Sequence, residues 1–219
     1  MFSAEVIQML IKGIGETLYM TLVSTLFGYL FGLPMGILLT ISDREGIKPN
    51  VILYKILDIF ANIVRSVPFL ILLIVLIPLA RFIVGKSYGS SATIVSLAAA
   101  AIPYIARMVE SSLREVDAGV IEAARSMGAS TFTIVTKVML VEARTSLIVG
   151  VTISLGTILG YSAMAGTLGG GGLGDIAIRY GYYRYEAGIM AVTVILLILL
   201  VQIFQTVGMK LSVHLDKRK

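Results

Sequence analysis

AGIMAVTVILLILLVQIFQTVGM, residues 187–209, runs 23 residues without a charged side chain. About 20 residues of α-helix cross the hydrocarbon core of a bilayer, so this stretch alone is long enough to span one. Four more uncharged runs lie upstream, at 17–42, 66–80, 87–106 and 145–174. The run at 66–80 is short, and extending it back through Arg65 to Ile52 gives a span that must house an ionisable residue. The whole chain agrees: 57% of its residues are hydrophobic, 14% are charged and the mean hydropathy is +0.94, outside the range of soluble globular domains. At roughly −0.5 kcal/mol for each centrally placed Leu, Ile, Val or Phe, such spans outweigh their one or two polar residues. The expected fold class is an all-α membrane protein with five transmembrane helices.

Loop cations set the orientation. The first loop carries Arg44, Lys48 and Lys55; the third carries Arg107, Arg114, Arg125, Lys137 and Arg144; the tail carries Lys210, Lys217, Arg218 and Lys219. Those twelve face five on the other side, Lys12, Arg81, Lys86, Arg179 and Arg184. An excess of Lys and Arg marks the cytoplasmic side, so the N-terminus is expected outside and the third loop and C-terminus inside. The net charge of +5 is mostly this bias, and cations scattered among short loops do not form a nucleic-acid surface.

MFSAEVIQML lacks the basic start and small-residue cleavage site of a signal peptide, so this N-terminus reads as retained. Ile7, Leu10, Ile11 and Ile14 recur at helical spacing, which suits a short helix over 1–15 lying in the outer interface. The chain has no cysteine, which excludes disulfides and thiolate metal sites, and His214 stands alone in a solvated tail. GTLGGGGLGD, residues 166–175, formally contains GxGxxG, but it follows an apolar span instead of a strand and has no Lys-Ser or Lys-Thr. It reads as a flexible turn ending the fourth span outside, and ATP is not expected on this polypeptide. Tyr180, Tyr182, Tyr183 and Tyr185 then fit an aromatic belt at the outer interface.

Small residues indicate where helices meet, because close backbone approach governs association in lipid. Gly28, Gly32 and Gly36 share one face of the first span, and Gly156 with Gly160 repeats the spacing in the fourth. Spacing alone does not say whether the partner is another span or another copy. Pro34, Pro68, Pro78 and Pro103 favour kinks or helix ends. Arg65, in NIVRSVPFLILL, would cost on the order of 2.5 to 3.5 kcal/mol near mid-span. It therefore either snorkels to the interface, packs between helices or lines a path, with Asp58, one layer away on the same face, as a possible partner.

One polar island interrupts this chain: EAARSMGASTFTIVTKVMLV, residues 122–141. Asp117 is placed to cap a helix, Val120, Ile121, Ala124 and Met127 line an apolar face, and Gly128 permits a turn. Ile134, Val135, Val138 and Met139 begin a second amphipathic stretch. A short helix with an exposed apolar face between two spans suits insertion into a groove of a cytoplasmic partner.

At these residues the chain resembles the inner-membrane permeases of ATP-binding-cassette importers, whose loop reads EAA, three residues, Gly, nine residues, then Ile-x-Leu-Pro. Glu122, Ala123, Ala124 and Gly128 match at full spacing, Val138 and Leu140 take the Ile and Leu places, and Val141 stands where the family usually has Pro. Within that family the chain is most similar to the methionine-import branch, through RSVPFLILL at 65–73, PYIARMVESSL at 103–113 and GYSAMAG at 160–166. The resemblance implies one permease domain over 1–219, with a cytoplasmic coupling loop at 116–141 between the third and fourth transmembrane helices. It implies a homodimer in the bacterial cytoplasmic (inner) membrane, served by two copies of a separate ABC ATPase that binds ATP and Mg. A periplasmic or lipoprotein binding protein would deliver the substrate, and alternating access would carry it inward.

The expected cargo is methionine in either stereoisomer, with another small amino acid or a betaine-like solute as the alternative. The coupling residues implied are Glu122, Ala123, Ala124 and Gly128. Candidates for the translocation path are Tyr161, Ser162 and Met164 of the fourth span, together with Arg65. A self-contained secondary transporter would need acidic groups in mid-membrane, and an enzyme would need a convergent set of catalytic side chains. The sequence offers neither, and no cofactor or catalytic residue is expected here.

Overall fold

The computed structural model describes residues 3–215. Met1 and Phe2 of the 1–15 segment, and Lys217, Arg218 and Lys219 of the basic tail, lie outside the described residues. Among those described, every regular element is helical.

Helix α1, Ala4–Ser42, starts at Ser3, whose hydroxyl accepts the Val6 N–H at 3.4 Å. The short separate helix expected over 1–15 is, from Ala4 onward, simply the first turns of α1. Helix propagation is cooperative, and the stretch contains no proline to stop it. The expected second span behaves differently. It divides into α2 (Val51–Ser66), α3 (Phe69–Val75) and α4 (Ile77–Val84), with a 103° bend between the first two. Pro68 causes the break: it holds Val67 in an extended conformation and starts α3 in a new direction. Pro78 sits in the first turn of α4, where its missing donor costs nothing. Pro34 and Pro103 are accommodated inside α1 and α5.

α5 spans Ser90–Arg114. The third loop then forms α6 (Ala118–Ser126), α7 (Thr131–Thr133), a π-helical turn at Ile134–Met139 and α8 (Leu140–Glu142). α9, Arg144–Ala165, leads through a 3₁₀ turn at Gly166–Leu168 to α10 (Gly172–Ile176), a second π-helical turn at Ala177–Tyr182 and α11 (Ala187–Leu215). Among the described residues four helices, α1, α5, α9 and α11, are long and apolar enough to cross a membrane, and the bent α2–α3 pair makes a fifth span if counted as one. In α11, only 11% of the most apolar stretch is buried inside the chain, which suits a helix facing lipid.

The centre of the bundle is the α1–α5 pair. Gly28, Gly32 and Gly36 of α1 all face α5: a Cβ on Gly28 would meet Ile105 at 2.6 Å, on Gly32 the Ile102 carbonyl at 2.7 Å, and on Gly36 the Ala106 carbonyl at 2.5 Å. That contact lies within the chain and selects glycine by backbone approach. Gly156 and Gly160 of α9 instead face open space.

The Gly-rich segment is packed, which corrects the expectation of a flexible turn. Gly169, Gly171 and Gly172 take positive φ, and a side chain on Gly174 would collide with the Ala163 backbone. Glu16 Oε2 accepts the Gly172 N–H at 2.7 Å, and Thr17 Oγ1 accepts the Leu173 N–H at 2.9 Å. Two free amides at the start of α10 are thereby satisfied by α1, 156 residues away, a pairing no local pattern announces.

Candidate functional site

The polar island folds as a braced projection. Asp117 Oδ1 accepts the Gly119 N–H at 2.7 Å and the Val120 N–H at 3.3 Å, capping α6 as its position suggests. At the other end Gly128 adopts φ +79°, its N–H reaches the Arg125 carbonyl at 3.0 Å, and the Ala129 N–H reaches that of Ala124 at 3.1 Å. Such a left-handed closure ends a helix in one residue and favours glycine. Ala124 is 5% exposed and belongs to the same buried cluster as Ile134, Val135 and Met139.

The expected apolar face of α6 is therefore split. Ala124, and in part Ile121, hold the helix against the bundle, while Val120 and Met127 point outward, Met127 at 81% exposure. Phe132, which the sequence reading passed over, is as open at 77%. Of the four candidate coupling residues, Glu122, Ala123 and Gly128 are exposed and Ala124 is the anchor. A groove of about 400 Å³ runs between α6 and the end of α1, lined by Asp43, Gly46, Arg114, Ile121, Glu122 and Arg125. Val141 is helical within α8 and 46% exposed, so the helical path toward α9 continues where a proline would favour a break.

Above the loop lies a chain of charges that sequence spacing does not reveal. Arg107 pairs with Asp58 and, at 2.7 Å, with Glu110; Arg114 pairs with Glu110 at 2.8 Å and Asp43 at 2.7 Å. Asn62 Oδ1 accepts from Arg107 at 3.1 Å. Asp58 thus belongs to Arg107, which replaces the expected pairing with Arg65. The Glu110 side chain, 6% exposed, is held between two guanidinium groups, and the chain joins α2, α5 and the end of α1 directly above α6.

The path candidates separate as well. Arg65 lies in the last turn of α2 and Tyr161 on α9, yet both line one recess of about 210 Å³ with Val64, Phe69, Leu72, Ala100 and Tyr104. The Phe69 and Tyr161 rings stack at 4.5 Å and 3°, and the Tyr104 hydroxyl lies 3.3 Å from Thr157 Oγ1. Met164 is 49% exposed on the open side of α9. Ser162 is 1% exposed and donates to the Leu159 carbonyl at 2.7 Å, which places it inside the bundle of this chain. His214 is exposed, and among the described residues no cluster of His, Asp and Glu could hold a metal.

Known proteins share this arrangement. Residues 12–219 match the family described as binding-protein-dependent transport system inner membrane component. The probable D-methionine transport system permease protein of Vibrio cholerae is 48% identical over 210 residues, covering 96% of this chain and 93% of that one. The D-methionine transport system permease protein of Escherichia coli K12 is 48% identical over 164 residues, 75% of this chain and 76% of its own. An inward-facing structure of the MetNI methionine ABC transporter superposes with a TM-score of 0.97 at 45% identity, covering 99% of this chain and 100% of the other. An amino acid ABC transporter solved with histidines shares the fold at 21% identity, with a TM-score of 0.69 over 92% of this chain and 95% of that one. This chain, a multi-pass bundle with a braced helical projection between α5 and α9, belongs to the inner-membrane permease family of binding-protein-dependent ABC transport systems.

Proposed function

We propose that the chain is the membrane subunit of a methionine importer, working as a homodimer in the bacterial cytoplasmic membrane with two copies of a separate ATPase. The single observation that carries this is the match to an inward-facing methionine transporter over 99% of the chain. A binding protein outside the membrane delivers the amino acid, and nucleotide-driven closure of the ATPase alternates access to the path. The N-terminus faces outward, in line with the Lys and Arg excess, and residues 4–15 sit near the outer interface.

The segment 116–141 is the coupling loop. Glu122, Ala123, Val120 and Met127 enter a cleft on the ATPase, while Ala124 and the Gly128 closure hold α6 rigid enough to transmit force. Val149, Ile153, Gly156 and Thr157 line an open groove with residues of α11, and the bare glycine face of α9 supports a meeting of two copies near the path. Met164 closes that path against its symmetry mate. A thioether is flexible enough to serve there.

The reading is tested by uptake of radiolabelled methionine into vesicles containing permease, ATPase and binding protein. ATP-dependent uptake abolished by excess unlabelled methionine is the expected result. Competition by a different amino acid or a betaine, but not by methionine, would reassign the cargo, and uptake without the ATPase would point to a secondary transporter.

A further inference from the structure

The recess at the α2–α3 bend holds an unpaired cation. Arg65 lies in the last turn of α2, beside a break that turns the chain by 103°. Among the described residues it has neither an ion-pair nor a hydrogen-bond partner, because Asp58 is engaged by Arg107. No acidic residue lines the recess. The remaining lining is apolar or aromatic, with the stacked Phe69 and Tyr161 rings on one side and the Tyr104 hydroxyl beside Thr157.

An arginine within apolar spans is retained where an anion, protein dipoles or water meet it. The last-turn carbonyls of α2 favour a cation nearby, but they accept no hydrogen bond from its side chain here. The donors of a guanidinium match a carboxylate in a two-pronged geometry. Flat rings take up an apolar side chain or face an ammonium group. A volume of about 210 Å³ accommodates a small amino acid without a second solute.

We infer that this recess is a binding station inside the permease for an amino-acid zwitterion with an apolar side chain. Arg65 meets the carboxylate, the Phe69–Tyr161 stack and Leu72 receive the side chain, and Tyr104 faces the ammonium end. The inference rests on the methionine-import reading and adds a selection step within the membrane, on the substrate's carboxylate.

The test uses the assembled permease and ATPase in lipid nanodiscs with a diazirine-bearing methionine analogue, mapping the photo-adduct by mass spectrometry. Adducts on the segment holding Phe69 and Leu72 or on that holding Tyr161 are expected. They are expected to fall on addition of methionine and to resist methioninol, which lacks the carboxylate. Arg65→Gln is expected to lower adduct yield roughly tenfold or more, the usual scale for a lost charge-assisted contact, with Arg65→Lys recovering part of it. That graded recovery and the loss of preference for methionine over methioninol are not produced by misfolding alone. Equal labelling in Arg65→Gln, or equal competition by methioninol, would overturn the station. Adducts that disappear in discs rich in anionic phospholipid, at constant methionine, would assign Arg65 to a lipid headgroup and also overturn it. Uptake of methionine by the unaltered transporter is measured after the same purified complex is reconstituted into vesicles with its binding protein, so absence of adduct with normal uptake rejects the station and leaves the import reading standing.

Discussion

Gly128 combines φ +79° with a place at the end of the only projection that carries the EAA residues. A branched side chain in the left-handed region costs about 1–2 kcal/mol, and in a short helix closed by one turn that strain reaches both ends. Gly128→Val is expected to lower methionine uptake several-fold while insertion into the membrane stays normal, checked by uptake against quantitative immunoblotting of the membrane fraction. Glu122 is exposed and free of any fold role in the described contacts, so Glu122→Lys is expected to act through the partner. Its expected signature is a weaker permease–ATPase complex, or ATP hydrolysis without uptake, measured by co-purification and coupled ATPase assay. Glu110 is the opposite case. Buried between Arg107 and Arg114, it pairs with both cations and links them into one network with Asp58 and Asp43. Without it Arg107 keeps Asp58 and the half-exposed Arg114 keeps Asp43, but the carboxylate that links the two pairs is gone. Glu110→Ala is therefore expected to lower the melting temperature of the purified protein, by less than a fully orphaned buried charge, worth about 3–5 kcal/mol, would. An unchanged melting curve would show that water or lipid already solvates those arginines.

Helices meet here through backbone approach. Gly36 leaves the Ala106 carbonyl and Val109 no room for a Cβ, whereas Gly156 and Gly160 would take one without contact inside this chain. Gly36→Val is expected to separate α1 from α5 and to destabilise the permease by at least the 1–3 kcal/mol typical of overpacking, read as lower yield of folded protein in fluorescence-detected chromatography. Gly156→Val carries no such penalty within one copy, so any defect it causes belongs to the meeting of two copies. The sequence showed both glycine faces but could not tell them apart, since i, i+4 spacing states which residues share a face and not what lies opposite. Much of α6 was legible for a local reason: cap, apolar spacing and terminating glycine all lie within twelve residues, from Asp117 to Gly128. Its division into an anchored half and an open half was not legible. That depends on Ile134 and Met139, which return under α6 only because Gly128 turns the chain.

At the scale of the whole molecule, α11 is exposed over most of its length and α9 presents Ile153, Gly156, Gly160 and Met164 on its open side. A chain without native cysteine makes the dimer directly testable. Gly160→Cys is expected to form a disulfide-linked pair under mild oxidation, seen on a non-reducing gel, whereas Phe82→Cys, 88% exposed on α4 away from α9, is expected to remain single. Met164→Ala is expected to raise basal ATP hydrolysis or solute leak, and unchanged values in reconstituted vesicles would remove Met164 from the gate. Membrane side follows from single-cysteine labelling: Tyr185→Cys is expected to react from outside and Met127→Cys only after permeabilisation, both positions being more than 80% exposed.

The amino-acid sequence by itself determined that this chain lives in a membrane, how its cations are distributed among the loops, and where the EAA segment lies. Those features are additive or local: hydropathy sums along a span, charge counts per loop, and a capped helix is written within a few turns. Only the tertiary structure decided that the second span breaks at Pro68, that Asp58 answers Arg107 and leaves Arg65 unpaired, and that the glycine-rich segment is clamped to α1. It also brought Arg65 and Tyr161 to one recess while turning Ser162 inward. Each of those is a choice among partners far apart in the chain. In lipid, where apolar burial favours no helix pair over another, such choices are made by backbone fit and by satisfying polar groups, which exist only once the bundle has formed.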